Sequence, residues 1–129
     1  MNNLDNILAN LVDNTNSDAA VLVNSEGLTI SSVNAENEDR MAVMIASLHS
    51  MGEKFSNDLN KGGINQFYIK TDNGYILLKD VNKDTILGLI AKENTKLGLL
   101  MMYLDASVKE ISDILNNESS LDLNIRSII

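Results

Sequence analysis

The stretch QFYIKTDNGYILLKDVNKDTILGLIA, residues 66–91, decides the fold. Residues 66–71 alternate in polarity, Asp72, Asn73 and Gly74 supply the chemistry of a tight hairpin turn, and residues 75–81 bring the chain back alongside. Asn82, Lys83 and Asp84 turn it again into residues 85–91, whose run ILGLIA is apolar on both faces, the pattern of a central strand covered above and below. Three consecutive antiparallel strands with a two-sided core therefore require helices on both faces, and the flanking sequence has to provide them.

Downstream, Thr95 caps a helix predicted over residues 96–115, with Leu97, Leu100, Met101, Leu104, Val108, Ile111 and Leu115 on its buried side. Upstream, residues 19–23 and 28–32 are strand-like and joined by Asn24, Ser25, Glu26 and Gly27, a second hairpin in which the glycine supplies a positive φ. Leu4, Ile7, Leu8 and Leu11 recur at helical spacing with Asp5 in the first turn, so residues 2–14 form a short helix. A long helix follows the punctuation at 34–37, carries Glu36 and Glu38 near its start, and stops at Lys61, Gly62 and Gly63 after about residue 60. The order αββαβββα gives an α/β (α+β) three-layer sandwich: a five-stranded antiparallel sheet with the long helix on one face and two helices on the other. One domain spans residues 1–116. Residues 117–129 form a C-terminal tail, whose strict alternation at Leu121, Leu123 and Ile125 has two readings, an extra strand added to an open sheet edge or an ordinary disordered end.

The long helix, whose central run is RMAVMIASLHS at residues 40–50, has two sides that are not solvent-like. Met41, Met44, Ile45, Leu48, Gly52, Phe55 and Leu59 make the predicted core stripe. Roughly opposite stand Ala42, Val43, Ala46, Ser47 and Ser50, small residues where a solvated face normally carries Lys, Glu and Arg. That small face predicts a second packing partner.

Composition removes several functions. The chain of 129 residues has no cysteine, which excludes disulfides, thiolate metal sites and Cys nucleophiles. Ten Lys plus Arg against eighteen Asp plus Glu leave a net charge of −8, which opposes nucleic acid and anionic lipid as partners and favours solubility. The N-terminus has neither the basic start nor the apolar run of a signal peptide, and no run is long enough to insert in a membrane, so the expected compartment is the cytoplasm. Phosphate-binding loops, dinucleotide fingerprints, nucleophile elbows and HExxH motifs are all missing. The sole histidine, His49, with Glu53 four residues on, reads as an ordinary helical pair rather than a base held by a carboxylate. Glu36 with Glu38, and Asp80 with Asp84, read as helix-start and turn chemistry, since a calcium loop needs more oxygen ligands at fixed spacing. Met101 reads as core filling, while Met102 lies farther round its helix and is open to either core or surface. Gly62 and Gly63 read as a helix stop rather than an anion nest. No catalytic residue, cofactor or metal is assigned, and the expected protein is not an enzyme.

With these elements in order, AAVLVNSEGLTISS at 19–32, DNGYILLKDV at 72–81, TKLGLLMMYL at 95–104 and the Ala- and Met-rich long helix resemble the roadblock family, which includes a dynein light chain and bacterial and archaeal gliding regulators. The resemblance covers about residues 4–110 and lies in the order of these strings, none of which is a catalytic signature. It implies a homodimer in which the long helices lie side by side and the third strands meet edge to edge. The implied interface is Ala42, Val43, Ala46, Ser47 and Ser50 of the helix with Gln66, Phe67, Tyr68 and Ile69 of the strand, while Gly27 and Gly74 are the turn glycines. Relatives often carry a basic residue at the place of Met101, so a charged contact there is not carried over.

The resemblance also implies the function: a non-catalytic regulator or scaffold that binds a small Ras-like GTPase and biases its nucleotide state, some relatives stimulating hydrolysis in the manner of a GTPase-activating protein. The alternative is a purely structural dimeric adaptor with no effect on a nucleotide cycle. An arginine finger would discriminate between them, but Arg40 stands beside a helix start and Arg126 in the tail, and neither position recommends it.

Overall fold

A computed structural model describes the backbone of residues 3–128 and the side chains of residues 3–118. Its elements are α1 (Asn3–Thr15), β1 (Ala19–Asn24), β2 (Thr29–Val33), α2 (Glu38–Asp58), β3 (Gln66–Thr71), β4 (Gly74–Asn82), β5 (Thr85–Lys92) and α3 (Leu97–Ile128). The strands form one antiparallel sheet in the order β2-β1-β5-β4-β3. The α+β architecture and the order αββαβββα are those read from the sequence. As the two-sided run ILGLIA requires, β5 is central, with Leu87 opposite both Leu22 of β1 and Lys79 of β4. It lies between the two hairpins, so one crossover, made by α2, links them.

Alternation along the strands divides the core. Leu22, Leu77, Leu87, Leu89 and Ala91 pack against Leu8 and Leu11 of α1 and Leu100, Leu104 and Ile111 of α3. Val21, Val23, Leu78 and Ile86 point the other way, to Ala42 and Ile45 of α2. Successive residues of β1, β4 and β5 thus serve opposite layers, the period of two at work.

Two turn glycines do different things. Gly27 has φ +88°, and a Cβ there would come within 3.4 Å of the Val43 Cα, so the β1–β2 turn lies directly against α2. At Gly74 a Cβ would stand 2.0 Å from the Ala91 carbonyl oxygen, which leaves room for glycine alone beside β5. The end of α2 is set by Asn60, at φ +61°, one residue ahead of the Lys61-Gly62-Gly63 stop, with the Lys61 N–H bonded to the Ser56 carbonyl at 2.9 Å.

Two expectations are corrected. Residues of α2 predicted to face the core do not all do so: Met44, Phe55 and Leu59 are 54, 66 and 54% exposed, whereas Ala42, assigned to a partner, is fully buried in the protomer's own core. The packing face is turned from the predicted stripe towards Ala42 and Ala46, by less than one residue step of ~100°, with Ile45 kept in the core and Met41 and Leu48 at its margin. Close approach is the reason. A Cβ on Gly88 would meet Ile45 Cδ1 at 2.9 Å and one on Gly27 would meet the Ala46 Cβ at 3.8 Å, so α2 sits on small residues and its larger ones are left at the flank. The second correction is at the C-terminus, where no added strand forms: α3 runs through residues 117–128 as one helix. No glycine or proline follows Gly98, so nothing in the chain stops the helix at the polar residues 116–120. The predicted facing of Leu121, Leu123 and Ile125, together with Asn2 and Ile129, lies outside the described residues.

Candidate protein interface at the α2 flank and the β3 edge

β3 pairs with β4 on one side only, and among the described residues no strand lies on its other edge. Gln66 and Tyr68 are exposed, Phe67 and Ile69 half-buried. The alternation aims Phe67 and Ile69 towards α2, where Phe67 packs at the margin of the core, and Gln66 towards α3, where its Nε2 donates to Met101 Sδ at 3.1 Å. What the four predicted residues share is therefore the backbone edge rather than one side-chain face.

Beside that edge the turned-out flank of α2 presents Val43, Met44, Met51 and Phe55, all more than half exposed. Between α2 and β3 runs an apolar groove of about 570 Å³ floored by Leu48, Gly52 and Phe67 and rimmed by Met51, Phe55, Lys54 and Asp58. A second depression, about 420 Å³, lies against the β1–β2 turn, where Gly27 meets Val43, Ala46, Ser47 and Ser50. Four of the five small residues predicted for the interface, all but Ala42, are thus brought together there, and Ala46 forms the buried bottom. Sequence reasoning missed Met44, Met51 and Phe55 as surface residues. The available signal was outside the helix, in the glycines at 27 and 88 that let it come close on a narrow small-residue face.

The polar groups near the edge hold it in place. His49 does not pair with Glu53 along the helix: its Nε2 bonds Asp80 Oδ1 on β4 at 2.5 Å, and the Glu53 carboxylate accepts from the Ile64 N–H at 2.8 Å. Each thus ties α2 to the sheet or to the loop that leads into β3. Burial pushes the Asp80 carboxyl above its ordinary range, His49 opposes that, and Glu53 reinforces it. The Asp84 N–H bonds Asn82 Oδ1 at 2.8 Å, turn chemistry of the kind read from the sequence, and Asn37 caps α2. Among the described residues no group of three His, Cys, Asp or Glu side chains is placed to hold a metal, and no helix is long and apolar enough to cross a membrane.

The family model for the Roadblock/LC7 domain matches residues 4–91, two thirds of the chain and every element from α1 to β5. The chain belongs to the Roadblock/LC7 family. Among solved structures, Myxococcus xanthus MglB superposes with a TM-score of 0.84 at 16% identity, over 88% of this chain and 95% of that one. A Roadblock/LC7 domain from Streptomyces avermitilis gives 0.83 at 22% identity, over 88% and 98%. The gliding protein MglB of Thermus thermophilus gives 0.81 at 13%, over 88% and 89%. At such identities these likenesses establish a shared roadblock fold. No curated protein sequence matches the chain.

Proposed function

We propose that this roadblock protein is a homodimeric, non-catalytic regulator or scaffold for a small Ras-like GTPase. The observation that carries the reading is the unpaired edge of β3 lying beside a row of exposed apolar side chains on α2. A bare edge and an adjoining apolar flank are each costly to leave in water, and one two-fold partner covers both. Pairing β3 with its copy continues the sheet, and the α2 flanks then close over it through Val43, Ser47, Ser50, Met44, Met51 and Phe55, which revises the interface by removing the buried Ala42 and Ala46 and adding the larger residues. Membership of the roadblock family supports the GTPase as partner, and the dimer then acts by binding one nucleotide state more tightly than the other. The reading requires no cofactor and places the protein in the cytoplasm.

The test is affinity capture from an extract of the source organism with GDP or a non-hydrolysable GTP analogue, followed by reconstitution from purified components. The expected result is a Ras-like GTPase held in one nucleotide state, with a changed rate of GTP hydrolysis or nucleotide release. Capture of no such GTPase in either state refutes the regulatory reading. Binding without any change in the nucleotide cycle leaves the structural adaptor.

A further inference from the structure

We infer that the notch between α1 and α3, on the opposite side of the sheet from α2, receives a lysine side chain from a protein partner. The notch holds about 200 Å³. That is below the ~300 Å³ at which sites for free small molecules begin, and it suits one long side chain. Its floor is apolar, from the buried Ile7 and Leu11. Set into that floor is Ser107, only 7% exposed, whose side chain makes no hydrogen bond to any described residue. Among the described residues every side-chain oxygen or nitrogen fully shut off from solvent has a partner, so the Ser107 hydroxyl keeps its remaining access, and that access is through the notch it lines. Water can satisfy the hydroxyl while the notch is open, so a side chain that closes the notch has to bring a hydrogen bond to it or leave it unsatisfied.

The rim identifies the partner's chemistry. Asn10 and Asn14, one turn apart on α1, face Tyr103 and Glu110 of α3, and among the described residues no cationic side chain lines the space. Carboxylate, carboxamide and hydroxyl groups line it, each with an oxygen able to accept, and the carboxylate of Glu110 accepts only. An ammonium offers three donors and no acceptor, while its aliphatic stem covers an apolar floor and its charge rests well against a tyrosine ring. The Glu110 carboxylate at the rim can accept from either cation, but the floor offers a single hydroxyl, which a compact ammonium with rotatable donors meets, whereas the rigid five-donor fork of a guanidinium leaves donors unpaired there. The net charge of −8 draws basic surfaces towards the body as a whole. Because the notch lies across the sheet from the β3 edge and the α2 flank, this inference stands whether or not the proposed dimer forms.

The experiment is a titration of the isotope-labelled full chain with Nα-acetyl-lysine methylamide, followed by amide chemical shifts. Nα-acetyl-norleucine methylamide, which has a similar stem without the ammonium, is the control. Saturable shifts confined to residues 7–14 and 103–110 are expected with lysine and not with norleucine. Glu110→Gln, at an exposed position that does not threaten folding, should weaken the lysine affinity about fivefold, and Ser107→Ala should weaken it further. The inference is overturned by equal binding of the two probes, by the absence of saturable shifts at tens of millimolar lysine derivative, or by affinity unchanged in both variants.

Discussion

Phe55 gives the sharpest test of the proposed dimer. It is 66% exposed in the protomer and lies on the rim of the groove between α2 and β3. Fully burying a phenylalanine side chain contributes ~1.5–3 kcal/mol, and about two thirds of that surface is available here, or roughly 1–2 kcal/mol per copy. A two-fold interface uses the residue twice, so Phe55→Ser should weaken dimerisation by about 2–4 kcal/mol, roughly thirty- to several-hundred-fold in dissociation constant. The protomer itself loses little, because the ring is not part of its buried core. Sedimentation equilibrium over a dilution series reads the first quantity, and urea unfolding below the dissociation constant reads the second. A wild-type protein that stays monomeric at micromolar concentration refutes the reasoning. So does a variant whose dissociation constant matches the wild type's. A variant that unfolds far more easily as a monomer would place Phe55 in the core after all.

Val43→Arg, at a position 56% exposed, should also block the dimer while leaving the protomer folded, whereas Ala46→Arg should cost ~1–3 kcal/mol of protomer stability by overpacking the turn at Gly27; light scattering with thermal melts separates the two. Gly74→Ala should be severely destabilising, since its Cβ would stand 2.0 Å from a backbone oxygen, but Gly98→Ala, with nothing within 4 Å and in the first turn of α3, should stabilise by ~0.4–1 kcal/mol; urea midpoints measure both. Asp80 has a native pKa raised above 3.8 by burial, so between that value and its raised one the native state binds more protons than the unfolded state, and stability falls as pH rises. Asp80→Asn keeps an acceptor for His49 and removes this loss, so its stability relative to wild type should increase over that window and stay higher above it, in urea midpoints taken across a pH series.

The sheet was legible because its signals are local. Residues 72–74 fix one hairpin and residues 24–27 the other, and a strand's period of two leaves little freedom once the turn is known. The end of α3 was not legible for a related reason. Leu121, Leu123 and Ile125 satisfy the strand period, yet Leu121, Ile125 and Ile128 satisfy the helical one, and residues shared by two patterns cannot choose between them. The choice falls to what precedes them, a helix that began at Leu97 and meets no glycine or proline after Gly98.

The α2 helix shows the same ambiguity in rotation, and it bears directly on the candidate site. A helix with large apolar residues on one side and small ones on another has two ways to lie on a sheet, and hydrophobicity alone favours turning the large side inward. The sheet decides otherwise. Gly88 in the central strand and Gly27 in the β1–β2 turn remove the side chains that would hold α2 away, so Ala42, Ile45 and Ala46 come down on them at a distance that Met44 or Phe55 could not reach. The close layer is gained at the cost of leaving Met44, Met51 and Phe55 in solvent beside an open strand edge, a cost of several kcal/mol for a solitary protomer that the proposed dimer would offset. The two glycines that position the helix are thus also the residues that create the exposed face. Bulky replacement at either position should lift α2 and disturb fold and association together, whereas Phe55→Ser should disturb association alone.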